Sequence, residues 1–386
     1  MEPVLDYFTL LAAAARTVLT APWPQNWRRF KFLFLFGVIW PVLKAISLPC
    51  LLLDHVLYPG FRKVQVREPL FIVGNWRTGS TLLYRTLARD EESVACFRMI
   101  DAFLPAITMK RAAAWLARVD GWLGGYGRRL VLAMDERFLA EWSKIHDTGF
   151  LKPEEDEFAL IVDFCSAAMF ELFPMVKRFR RLFFVDQEMP RVQQEFVMRR
   201  YHALAQRQLY HLGPHKRFVS KNPLFTFKIR SLAREFPDAS FVCLVRNPVS
   251  TVLSTASLFH FVWHETGALP PGQRDMGTVL EFCHQGYQHA ALALSELPAA
   301  RWTVMRFDAL VADPGGSVER LWDRFGWPLP ASLGAVLADA GARQRGWKTR
   351  HAYDAADWGI TPGEIYRDFE YVYREHGFEP PAEHQG

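Results

Sequence analysis

Beyond residue 68, short continuous apolar runs alternate with stretches whose apolar positions recur every third or fourth residue. The runs "LFIVG" (70–74), "RFVSKNP" (217–223), "SFVCLVRNP" (240–248) and "RWTVMRFDAL" (301–310) read as strands, and "VACFRMI" (94–100) offers one more. Helical spacing covers 111–145, 156–172 and "MPRVQQEFVMRRYHALAQRQLYHL" (189–212). Another helix opens with Pro248 at its first position, and a further one follows from about Gly316. This alternation predicts an α/β fold: three layers, with a mostly parallel central sheet between helices. The first strand runs through Gly74 into a loop of small residues and then an apolar helix, so the fold is expected to be P-loop-like. The ligand is expected beyond the carboxyl ends of the strands.

Residues 22–60, "PWPQNWRRFKFLFLFGVIWPVLKAISLPCLLLDHVLYPG", break this pattern. From Phe32 to Leu53 almost every position is apolar, which is long enough to span a bilayer. Pro41, Lys44 and Pro49 interrupt the run, Asp54 and His55 close it, and Trp23, Trp27, Arg28, Arg29 and Lys31 precede it like an interfacial belt. A monotopic or re-entrant insertion, a transmembrane helix and a soluble hairpin all fit. The expected organisation is a membrane-associated helical region, 1–66, before a catalytic domain, 67–386. The segment starts too late for a secretory signal and lacks a small-residue cleavage site.

Composition narrows this only modestly. The 386 residues carry a formal charge of +5 and are 50% hydrophobic. A mildly basic chain suits an anionic ligand or an anionic membrane surface. No groove-like run of basic and aromatic residues suggests nucleic acid. The five cysteines have no metal-ligand spacing, and no glycosylation acceptor is present, which favours a reducing compartment.

Two loops carry the chemistry. In "GNWRTGSTLL" (74–83), Gly74, Arg77, Thr78, Gly79, Ser80 and Thr81 close a strand-to-helix turn. Glycines let the backbone approach an anion, and helix N-terminal amides point at it. A nucleotide-triphosphate loop needs lysine where Ser80 stands. In "VRNPVSTVLS" (245–254) the strand ends in Arg246, where a magnesium-dependent enzyme needs aspartate. Arginine binds phosphate bidentately, and Ser254 lies on the helix face that turns back towards the strand end. Two separate anion sites and no metal site are expected.

A strand and R-x-G-[ST]-T loop, followed by a later strand ending R-[ND]-P with serine eight residues on, resembles sulfotransferases that use 3′-phosphoadenosine 5′-phosphosulfate. "VSKNP", "VMRFDALVADP" (with Asp308 where Glu is usual), "IHDTGFLKPEEDEFAL" and "RHAYDAADWGITPGEIYRDFEYVYREHGF" resemble further segments of the family's larger bacterial branch, to which tyrosylprotein enzymes are related. The likeness covers roughly 69–378. It implies that the first loop holds the 5′-phosphosulfate, that Arg246 and Ser254 hold the 3′-phosphate, that Lys348 and His351 bind the cofactor, and that His351 closes over the nucleotide with Tyr353. Arg77 and Lys221 would stabilise charge on the transferred group. Asp101, in "FRMIDAFLP", would be the general base, with His146 and Glu154 in reserve.

The acceptor implied by the front end is a hydroxyl on a lipid, glycolipid or sterol-like alcohol, with carbohydrate or peptide tyrosine as alternatives. The rivals are a phosphate-loop kinase and a membrane-anchored binding protein without turnover. The expected location is the cytoplasmic face of a bacterial inner membrane, or a Golgi-type orientation if the apolar segment spans.

Overall fold

A computed structural model describes residues 7–20, 25–138, 148–172, 179–270, 272–344 and 354–382. Five strands form one parallel sheet: β1 (Leu70–Gly74), β2 (Val94–Ala95), β3 (Arg217–Lys221), β4 (Ser240–Val245) and β5 (Trp302–Arg306). Their order is β2-β3-β1-β4-β5, and every pairing is parallel. β1 and β4 are buried throughout, as strands covered on both faces must be. Alternation along β1 divides the core. Phe71 and Val73 face a large aromatic cluster, while Leu70 and Ile72 face a smaller one with Leu83, Leu244 and Trp322. Phe71 stacks on Phe241 of β4 with ring centroids 5.4 Å apart.

The runs at 70–74, 217–223 and 240–248 hold β1, β3 and β4, whereas 94–100 keeps only Val94–Ala95 as strand before a helix at Met99–Phe103, 301–310 turns helical at Phe307, and the long helical stretches do not survive intact. The stretch beginning near 111 becomes a hairpin of two helices, Ile107–Trp122 and Tyr126–Phe138, broken at Gly124 and Gly125. Residues 156–163 form a 3-10 helix rather than an α-helix. The helix Arg191–Leu212 is as its periodicity predicts. Phe164 and Phe170, in an aromatic-rich segment, are core residues.

The topology gathers the chemistry. The chain leaves β1 towards β2 and β3, then crosses β1 to reach β4. The β1 loop therefore lies at a switch point, between the carboxyl ends of β3 and β4. Lys221 closes β3 and Arg246 follows β4, so both sit at the same edge as residues 75–79.

The apolar front segment is fastened to this body. Its helix Trp40–Leu57 runs through Pro49 after a π-helical turn, Leu35–Ile39. Asp54, fully buried, accepts hydrogen bonds from the amides of Ile107 and Thr108, both at 2.9 Å, and from the Thr108 hydroxyl at 2.8 Å. It thereby supplies, from another element, the N-terminal cap of the hairpin's first helix. Arg207 Nε donates to the same carboxylate at 3.0 Å. Losing one member of such a buried pair leaves the other charge uncompensated. Asp54→Ala is therefore expected to cost about 3–5 kcal/mol, read as a lower urea midpoint. An unchanged midpoint would show that this junction adds nothing.

Candidate active site

The β1 loop is built by alternation. Trp76 is buried, with Phe183 5.5 Å and Phe259 5.0 Å from its ring. Thr78 is buried, and its hydroxyl donates to the Asn75 carbonyl at 2.7 Å. Arg77, between these two anchors, is half-buried and adopts φ 64°. A left-handed arginine is strained and persists only where its surroundings impose it. Here its flanking residues are pinned inward, its carbonyl accepts from Arg246 Nη1 at 3.0 Å, and its Nε donates to Ser254 Oγ at 2.9 Å.

Two glycines are obligatory. Gly74 has φ 125°, and a Cβ there would lie 2.3 Å from the Leu244 carbonyl. Its N–H donates to Thr226 Oγ1, and that hydroxyl donates back to the Gly74 carbonyl, each at 2.8 Å. Gly79 has φ 91°, and its Cβ would strike the Phe307 ring at 2.7 Å. Gly79 is the N-cap of the helix Ser80–Leu87, and no side chain caps that end. The first amides of this helix thus suit an anion. Ser80 is buried and Thr81 half-buried at this helix start.

The predicted anion ligands converge more than two separate sites would require. Arg77 contacts both Ser254 and Arg246. The Arg246 guanidinium lies 4.3 Å from the centroid of Phe307, within cation–π range. The turn after β4 is fixed from behind. Tyr287 donates to the Arg246 carbonyl at 2.7 Å, and Asn247 caps the next helix by accepting from the Val249 amide. Tyr373 donates to the same Asn247 oxygen at 3.2 Å.

Lys221 is 1% exposed. Its ammonium donates to Glu155 at 2.9 Å and lies 3.5 Å from Glu154. Burial alone would lower its pKa, but the two carboxylates outweigh that and hold it above the usual lysine value. The acidic run "PEEDE" is turned inward and paired. Glu154 Oε2 lies 3.9 Å from Arg85, Asp156 accepts from the Tyr201 hydroxyl, and Glu157 pairs with fully buried Lys228 at 2.6 Å. The run reaches Lys221 because Pro153 bridges antiparallel to Arg98 and the Glu154 amide donates to Phe97.

Asp101 is differently occupied. It accepts from Lys110 at 2.5 Å, from the Arg98 amide at 2.8 Å and from Gln208 at 3.1 Å. Burial would raise its pKa, but Lys110 and these hydrogen bonds hold the carboxyl below its usual value. That environment suits a structural carboxylate better than a base. His146, Lys348, His351 and Tyr353 lie outside the described residues. Sequence reasoning missed Glu155, Thr226, Trp76, Phe307 and Tyr287. Phe307 lies inside a quoted segment, but nothing local signals that its ring would meet Gly79 and Arg246.

A family model described as "Sulfotransferase family" matches residues 69–331. Two curated relatives, named omega-hydroxy-beta-dihydromenaquinone-9 sulfotransferase Stf3 from Mycobacterium bovis and Mycobacterium tuberculosis, are each 25% identical over 304 residues. Those alignments cover 75% of this chain and 71% of the relative. Among solved structures, sulfotransferase STF9 from Mycobacterium avium superposes with a TM-score of 0.71 at 19% identity, covering 97% of this chain and 92% of that one. Sulfotransferase STF1 from Mycobacterium tuberculosis gives 0.60 at 20% identity, covering 96% and 99%. At these identities the superpositions establish the fold.

One consequence concerns pH. Burial pushes the Asp156 carboxyl up to about 7. The folded chain then holds this proton more tightly than the unfolded chain, whose aspartates titrate near ~3.9. Its stabilising contribution is full below that value and is lost as pH rises to about 7. Asp156→Asn should therefore gain stability relative to the native chain through this window and level off above it. Paired urea unfolding curves measure the difference, and a difference flat across the window would contradict the assignment.

Proposed function

The chain belongs to the sulfotransferase family, and from that premise we propose that it takes a sulfuryl group from 3′-phosphoadenosine 5′-phosphosulfate and passes it to a hydroxyl on a lipid or lipid-linked acceptor. The observation that carries the donor reading is the convergence of Arg77, Arg246, Ser254 and an uncapped helix start at the edge where Lys221 ends β3. Cations and amides at the switch point fit a ligand with phosphates at two ends. The end of β4 carries arginine where a magnesium site needs a carboxylate. The acceptor reading is supported by the relatives whose name specifies a hydroxylated menaquinone, and by the apolar front segment.

The donor supplies an activated sulfuryl group, and the chain's own residues do the rest. In this reading the Ser80–Leu87 amides and Arg77 bind the donor's 5′ end, while Arg246 and Ser254 bind its 3′-phosphate. Lys221, kept charged by Glu154 and Glu155, stabilises negative charge developing at the leaving oxygen. Glu154, 3.5 Å from that ammonium, is the carboxylate best situated to take the acceptor's proton. Asp101 spends its oxygens on Lys110, Arg98 and Gln208, so we assign it to support rather than to the proton.

The test is transfer of radiolabelled sulfuryl from this donor to a detergent-dispersed prenyl alcohol or ω-hydroxylated quinone. Lys221→Met should lower kcat about 10²–10³-fold, and Glu154→Gln about 10²–10⁴-fold, both with little change in donor affinity. Transfer to carbohydrate or tyrosine acceptors alone would replace the lipid reading. Transfer of phosphoryl from ATP with magnesium would replace the donor.

A further inference from the structure

The helix Trp40–Leu57 is inverted relative to a water-soluble amphipathic helix. Three of its polar side chains face the protein: Lys44 pairs with Asp163, Ser47 is 1% exposed, and Asp54 is buried against Arg207 and the hairpin. Trp40 packs on Phe164, but a stripe of aliphatic side chains faces outward, with Val42 53%, Ile46 52%, Leu52 61% and Val56 75% exposed. A helix in water buries its apolar stripe and exposes its polar one. This one is built for the opposite solvent on its outer side.

A second apolar surface stands beside it. The hairpin whose first helix Asp54 caps ends in Trp122, Leu123 and Tyr126, which are 86%, 67% and 71% exposed. The tip is locally ordered: Asp120 accepts from the amides of Gly127 and Arg128, and Arg129 stacks on Tyr126 at 4.4 Å. Arg118, Arg128 and Arg129 flank it. An aromatic and aliphatic tip ringed by arginines matches the interfacial zone of a bilayer.

We propose that these two surfaces together form a monotopic seat on an anionic lipid bilayer, the helix lying in the plane of the interface and the hairpin tip inserted beside it. Charge selects this occupant. Between residues 25 and 63 there are six basic residues and one acid, Asp54, which is buried and paired with Arg207; Lys44 is neutralised by Asp163 and Arg28 lies 3.9 Å from Glu265, which leaves Arg29, Lys31, Arg62 and Lys63 as the basic excess of the segment. A second copy of the chain would bring like charge against like charge, because a two-fold interface is self-complementary. Anionic headgroups meet this excess favourably.

Crossing the bilayer is opposed by fastening along the whole segment. Arg28 donates to the His264 carbonyl at 2.5 Å and Arg29 to that of Gly267 at 2.8 Å, Lys44 holds the middle and Asp54 the end. A perpendicular helix would pull these groups off their partners. The hairpin also leaves the body just after Arg98–Asp101, beside the bridge that delivers Glu154. The root of the hairpin therefore lies beside the acidic segment that reaches Lys221. It stands on this geometry alone, whatever the acceptor.

The experiment is flotation of the full chain with acceptor-free vesicles of phosphatidylcholine, with and without about 30% phosphatidylglycerol, an anionic lipid. The native chain should float with the anionic vesicles and bind less at high salt. Leu52→Glu with Val56→Glu, and separately Trp122→Glu, should each reduce the bound fraction about tenfold or more. These positions are exposed, so an unchanged urea midpoint certifies the fold. Three results would overturn the seat: no binding to either vesicle, a dimer that the same substitutions dissolve without any vesicle binding, or protease protection of the first 20 residues inside sealed vesicles. None of these readouts uses sulfuryl transfer, so failure here and failure of the functional reading are separable.

Discussion

The site depends on keeping one ammonium group charged where almost no water reaches it. Lys221 is 1% exposed at the end of β3, and an unpaired cation there would lose its proton rather than bear the desolvation. Glu154 and Glu155 prevent that. Their position is imposed in turn by the Pro153–Arg98 bridge, by Asp156 on Tyr201 and by Glu157 on Lys228. A whole acidic segment is thus folded inward so that one lysine can remain a cation. Opposite it, the strained Arg77 is held by anchors on both sides, with Ser254 and Arg246 locking its two ends. The two arrangements meet at the carboxyl edge because the strand order makes β1 the switch point.

Sequence alone reveals the strands and the β1 loop for a physical reason. Strands buried on both faces must be continuously apolar, and a loop that approaches an anion must be small and glycine-containing, so both signals are local. Asp101 shows the limit. The family resemblance implies a base there, but its environment is set by Gln208, 107 residues away in sequence, and by Lys110. The acidic run misleads in the same way, since clustered acids are usually solvated and here each finds a partner from a distant element. Phe307 and Thr226 carry no local signal because their partners meet only when the parallel crossovers close.

The front segment joins these two lessons. Its apolarity is plain from composition, but its direction is not. Only with the body in place does the helix prove to point Lys44, Ser47 and Asp54 inward and its aliphatic side chains outward. The Asp54 carboxylate then ties that surface to the hairpin and to Arg207. The carboxyl edge of the sheet and the apolar exterior are therefore parts of one packed unit.

The central claim is that the arginine after β4 selects a 3′-phosphorylated nucleotide. Calorimetric titration of the full chain with 3′-phosphoadenosine 5′-phosphate, ADP and ATP, without magnesium and with Arg246→Ala as control, tests it most directly. The account predicts tight binding of the 3′-phosphorylated nucleotide, weak binding of the other two, and loss of the preference in the variant. ATP binding as tightly, and more tightly still with magnesium, would contradict it.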